Sequence, residues 1–248
     1  MRNIKLVLEY DGSRYDGWQK QPGNTKSVTI QDKIESVLEK MEGERIEVTG
    51  GARTEAGVHA YGQIANFKTN TDMKVYEIKH YLNRFLPMDI AVLEAAEVPE
   101  RFHAAFHARS FVYEYHITCG EVPSVFNRKF NYYCFQKPDL GNMRKAAALL
   151  VGEHDLKAFS DNRRMKKSTV RNIQSIDIYG DINEIVITIT ADDFWPHMAR
   201  ILVGTLLETG RGSMEPDHMK EILDKGDRAL AGPAAEAKGL FLQEIRYV

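Results

Sequence analysis

The sequence predicts an α+β fold, two similar strand–helix–strand–strand halves forming a largely antiparallel sheet with helices packed on it. Three observations carry this reading. Alternating apolar segments recur along the whole chain, segments of helical spacing fall between some of them, and no regular crossover helix links strand to strand. The halves divide as residues 1–105, with a loop at 51–60 of unusual chemistry, and 106–248, with a basic loop at 162–171.

The first strand is "NIKLVLEYDG", which puts Ile4, Leu6, Leu8 and Tyr10 on one face and ends at an Asp-Gly turn. A helix follows in "VTIQDKIESVLEKMEGE": Ile30, Ile34, Val37, Leu38 and Met41 have helical spacing, Thr29 offers a cap and Gly43 a stop. "ERIEVTGG" and "YGQIANFKT" read as strands on either side of the 51–60 loop. "VYEIKHYLNRFL" is a second helix closed by Pro87, and "DIAVLEAAEV" another strand. In the second half, "FVYEYHIT" is a strand with Tyr113, Tyr115 and Ile117 on one face. "DLGNMRKAAALLVG" is a helix, and "NIQSIDIYG" with "EIVITITADDF" forms a hairpin. "HMARILVGTLLETG" is a helix capped by Gly210, "DHMKEILDKG" one capped by Gly226, and "GLFLQEIRYV" a closing strand.

Composition sets limits on function. The 248 residues are 43% apolar and 27% charged, enough for a sizeable core and ordinary for a soluble protein. Apolar runs are far short of a membrane span, and the N-terminus enters a strand pattern with no signal peptide, so no membrane partner is expected. Cys119 and Cys134 form no C-x-x-C pair, which suits a reducing cytoplasm rather than a disulfide scaffold. A net charge of −2 argues mildly against nucleic acid, but a local patch outweighs a net value.

"GGARTEAGVHAYGQ" concentrates arginine, threonine and glutamate in a loop between strands. "NRRMKKSTVR" carries Arg163, Arg164, Lys166, Lys167 and Arg171 with no acid, either a solvated loop or a contact for phosphates. Tyr10, Tyr15, Trp18 and Tyr113 are candidates for stacking on bases or for the core; Tyr115 is assigned to the core. His103 and His107, four apart, precede a strand with no third ligand spaced to join them, so no metal site is expected. Neither a dinucleotide or P-loop fingerprint nor a G-x-S-x-G elbow is present. The residues alone leave two classes open, an α+β enzyme and an RNA-binding protein.

Taken together, "LEYDGSRYDGWQKQ", "TIQDKIESVL", "ARTEAGVHAYGQIANF", "LNRFLPMDIAV", "FHAAFHARSFVYEY", "LVGEHDLKAFS", "FWPHMARILVGTLLETGRG" and "AKGLFL" resemble ordered blocks of the tRNA pseudouridine synthase A family, over almost the whole chain. The resemblance implies an isomerase without cofactor or metal, acting as a homodimer on uridines at positions 38–40 in the tRNA anticodon stem-loop. The glycosidic bond breaks, the base turns, and a carbon–carbon bond joins the ribose to C5 of the base. The target base must first leave its stack. By position, Glu55 stands where the family has its catalytic aspartate, and Arg53 is the arginine of that loop. Tyr113 is the tyrosine that stacks on the target base, Arg200 the helix arginine that pairs with the carboxylate, and Leu240 an apolar wall. The chain departs from the family pattern in three further places: Ala105 replaces an arginine, "AAEA" a T-A-P-A segment, and Ala199 a valine. The second class stays open here as a tRNA-binding protein or chaperone without turnover.

Overall fold

The computed structural model describes residues 1–21, 23–24, 26–161 and 168–247. The chain forms two compact units, one of Met1–Arg109 with Phe241–Val248 and the other of Ser110–Leu240. The last eight residues thus rejoin the first unit, where the sequence division had left them with the second half.

The first unit contains β1 (Arg2–Tyr10), α1 (Ile30–Glu42), β2 (Val48–Gly50), β3 (His59–Thr69), α2 (Val75–Phe85) and β4 (Ile90–Val98). Alternation sets β1: Ile4, Leu6, Leu8 and Tyr10 are all at most 3% exposed, and β1 lies antiparallel between β3 and β4. The α1 boundaries follow local chemistry. Thr29 accepts from the Asp32 N–H at the start, and Gly43 takes the left-handed conformation at the end. The strand expected over 44–51 shortens to β2, pinned by buried side chains of α1. Gln31 donates to the Val48 carbonyl at 2.9 Å, and the Glu35 carboxylate accepts from the Val48 N–H at 3.0 Å.

The second unit contains β5 (Ser110–Cys119), β6 (Tyr132–Cys134), α3 (Leu140–Ala148), β7 (Gly152–Asp155), β8 (Val170–Gly180), β9 (Glu184–Ala191), α4 (Met198–Gly210) and α5 (His218–Lys225). Its sheet runs β5-β9-β8-β7 with antiparallel neighbours, and β6 adds to β5 in parallel. The predicted β8–β9 hairpin is present, whereas β6 and β7, only a few residues each, gave no periodic signal. Gly226 caps α5 as expected. Gly210 does not cap α4. It is the last helical residue, and a Cβ there would lie 2.7 Å from Pro138 and 2.8 Å from Met143 of α3. Glycine is needed for that close helix contact, and the left-handed turn comes two residues later at Gly212. The last strand, β10 (Leu240–Arg246), pairs in parallel with β3 through Phe241 and Leu242.

Each unit is therefore a largely antiparallel sheet carrying helices, as the α+β reading requires. No helix among the described residues is long and apolar enough to cross a membrane.

Candidate active site

Loop 51–58 joins β2 to β3, and hydrogen bonds from neighbouring segments pair several polar groups of its buried stretch. The Gly51 N–H donates to the Ile64 carbonyl at 2.6 Å. Fully buried Gln63 then serves Ala52 twice, accepting from its N–H at 3.0 Å and donating to its carbonyl at 2.9 Å. The Tyr10 hydroxyl lies 2.7 Å from Thr54 Oγ1 and receives a second bond from Gln63 at 3.3 Å. The Thr54 carbonyl accepts from the Trp18 N–H at 3.0 Å, and the Glu55 carbonyl from the Val58 N–H at 3.1 Å. With Ala52 and Thr54 buried, Arg53 is left exposed and Glu55 half-buried. The loop presents a cation and a carboxylate on a backbone that has little freedom to move.

The segment 11–18 is the other side of this clamp. Gly17 has φ +87° and a Cβ there would sit 2.5 Å from the Thr54 carbonyl, so only glycine allows this approach. Its position is held in turn by Asp89. Tyr15 donates its hydroxyl to Asp89 at 2.5 Å, Arg14 pairs with the same carboxylate, and the Asp11 N–H bonds the Asp89 carbonyl. Burial alone would raise the Asp89 carboxyl, but the bonds from Tyr15 and Arg14 outweigh it and hold the group below the usual carboxylate range. Tyr10, Tyr15 and Trp18 are at most 6% exposed, so of their two readings burial selects the core.

In the second unit, Tyr113 lies on β5, buried, with its ring edge-on to Phe194 at 4.9 Å. Phe194 opens the turn that leads into α4. His197 begins the helix at φ +66°, in a conformation uncommon for a side chain of its size. Its Nδ1 lies 2.7 Å from Asp161, and Arg228 donates to the other Asp161 oxygen at 2.8 Å. Those two bonds hold the Asp161 carboxyl below its ordinary range. Arg200, in the first turn of α4, donates Nε to the Ala235 carbonyl at 2.6 Å, and the Ala235 N–H returns a bond to the Arg200 carbonyl at 2.9 Å. The "AAEA" segment therefore contacts the helix exactly where Arg200 leaves it. Leu240, 3% exposed, starts β10.

The basic run divides. Arg163, Arg164, Lys166 and Lys167 lie outside the described residues. Arg171 is described and is committed elsewhere: its guanidinium lies 4.4 Å from the Trp195 ring and 3.3 Å from Asp193. His103 and His107 form one closed turn, His107 donating its N–H to the His103 carbonyl and accepting from the His103 N–H on Nδ1. Ala105 is half-buried in that turn and donates to His103 Nδ1 at 3.2 Å.

The family profile described as tRNA pseudouridine synthase matches residues 6–107 and 146–248. The chain belongs to this family. A tRNA pseudouridine synthase A of Bacillus sp. (strain KSM-64) is 45% identical over 247 residues, with all of both chains covered. A tRNA pseudouridine synthase A 2 of Clostridium perfringens is 42% identical over 248 residues, again end to end. Among solved structures, the archaeal box H/ACA sRNP Nop10-Cbf5 complex matches 83% of this chain and 44% of its own at 10% identity, with a TM-score of 0.36. At that distance the likeness carries no weight.

Within the family frame, the sequence reading found the loop but not what holds it. Gln63 and Asp89 carry no signal in the sequence, being unremarkable polar residues in a strand and a turn, and the bond between Tyr10 and Thr54 is not legible there either. One signal was available: Gly12, Gly17, Gly50 and Gly51 flank the same loop from two separate segments, as closely approaching backbones require.

Proposed function

We propose that this chain converts uridine to pseudouridine in the tRNA anticodon stem-loop, at positions 38–40, with Glu55 as the reacting carboxylate. The observation that carries this reading is the 51–58 loop, whose buried bonds leave Glu55 and Arg53 presented on a fixed backbone. In the proposed reaction the bond from ribose C1′ to N1 breaks, the base turns, and C1′ bonds to C5, whose hydrogen is then lost. A carboxylate suits the nucleophile or base for such a step, and preorganised geometry raises its efficiency. Arg53 fills the space left by the flipped base, Tyr113 stacks on that base, Arg200 supplies positive charge and Leu240 an apolar wall. Arg163, Arg164, Lys166 and Lys167 contact phosphates. Family membership supports the enzyme over a tRNA-binding protein without turnover.

Tritium release from C5-labelled uridine in anticodon stem-loop RNA tests the reaction directly. The natural chain is expected to release tritium, and Glu55→Ala to fall to background. Glu55→Asp is expected to lose about 10- to 100-fold in kcat, because the fixed loop sets the carboxylate about 1 Å too far back. No release by the natural chain from several tRNAs would refute the proposal.

The same reading includes a cytoplasmic location and a homodimer. Sedimentation equilibrium at micromolar concentration is expected to give twice the chain mass; a single-chain mass throughout would remove the dimer.

A further inference from the structure

Cys119 and Cys134 are far from conspicuous in the sequence, fifteen residues apart and in no recognised motif. The fold brings them together. The parallel pairing of β5 and β6 makes them register partners, and their sulfurs lie 2.9 Å apart. Neighbouring strands are separated by about 4.8 Å, within the Cα separation of about 4.4–6.8 Å that a disulfide spans. Main-chain bonds hold the register on both sides: the Cys119 N–H donates to the Asn183 carbonyl at 2.7 Å, and the Gly120 N–H to the Cys134 carbonyl at 3.3 Å. Both thiols are free and buried. We propose that this pair is a site of reversible covalent modification, closing to a Cys119–Cys134 disulfide when the protein meets a small-molecule disulfide.

The chemistry is two successive exchanges. One cysteine thiolate attacks a sulfur of the oxidant, giving a mixed disulfide and releasing one small thiol. The neighbouring cysteine then attacks the protein sulfur of that mixed disulfide, expels the second small thiol and completes the protein bond. Two protein S–H groups are oxidised, one external disulfide is reduced to two thiols, and both protons leave with them. The second exchange is intramolecular between adjacent sulfurs, so the mixed disulfide is short-lived.

The first exchange is the slow one. Burial foremost, and then the contact with Cys119, push the Cys134 thiol up to about 12, so little thiolate exists at neutral pH. Attack waits on local opening of β6, which is only three residues long. The pair is therefore inert to brief exposure and responds to sustained oxidation. Once formed, the bond ties down the 120–133 segment, which carries the exposed side chains of Val122, Val125 and Phe126. It also secures Tyr132, whose hydroxyl accepts from Arg211 at the end of α4 at 2.6 Å.

The test incubates the full natural chain with oxidised glutathione, then measures intact mass, a peptide map and thermal unfolding. Expected are a loss of two hydrogens, a linked peptide joining residues 119 and 134, and a Tm higher by about 5 °C or more. Dithiothreitol should reverse all three. Cys119→Ser should instead keep one glutathione on Cys134, since nothing remains to resolve it; Cys134→Ser serves reciprocally, on Cys119, if the first variant fails to fold. The proposal is overturned if the natural chain retains glutathione, or keeps both thiols under conditions that fully oxidise free dithiothreitol. A linked product with a lowered Tm would also overturn it, because the bond would then not fit the native register.

Discussion

Loop 51–58 in the first unit is fastened from inside, by buried Gln63 and Tyr10 and by a main-chain bond from Trp18. The turn that starts α4 in the second unit is fastened partly from outside, by Asp161, His197 and Arg228, whose side chains are 44%, 42% and 31% exposed. The two supports obey different physics. A buried polar group that loses its partner bears the full desolvation cost, whereas an exposed ion pair is screened and exchanges readily for water. The loop bearing Glu55 should therefore tolerate almost no change, and the α4 turn should be adjustable by salt and pH.

The largest effect is expected from Gly17→Ala. The new Cβ would collide with the Thr54 carbonyl in a left-handed backbone, costing about 3 kcal/mol in stability. It would also displace Glu55 enough to lower kcat about 100-fold. Denaturant unfolding and tritium release measure the two together. If stability fell while kcat held, the clamp would be structural only.

Asp89→Asn should be intermediate. It weakens the bond from Tyr15 and removes the ion pair with Arg14, at a cost of about 1–2 kcal/mol near neutral pH. The sign of its pH dependence follows from the depressed native value. Asp89 contributes fully above the ordinary carboxylate value of about 4, and that contribution is lost as pH falls through the lower native one. The stability gap between wild type and variant should thus narrow below about pH 4. A gap that persists into strong acid would show that the charge on Asp89 is not what stabilises this segment.

The smallest effect belongs to Asp161→Asn. With all three partners partly exposed, the loss should stay below about 1 kcal/mol and shrink in high salt. A larger, salt-independent loss would mean that the positive φ of His197 depends on this carboxylate.

Much of this protein is written locally. Thr29 and Gly43 define α1 because a cap needs only the backbone groups of one turn, and the alternation in β1 exposes its buried face directly. The ordered family blocks likewise identify the family from sequence order alone. Other features depend on partners far away in the chain. Gly210 reads as a cap until Met143 and Pro138 are seen against it. Arg171 reads as part of a basic run until Trp195 and Asp193 claim it. Tyr10 reaches Thr54 across forty-four residues, and Cys119 meets Cys134 only because a parallel register aligns them. Periodicity and capping act over about one turn of chain, so sequence determines them. Register and close approach are settled by which buried faces fit together, and only the tertiary structure decides that.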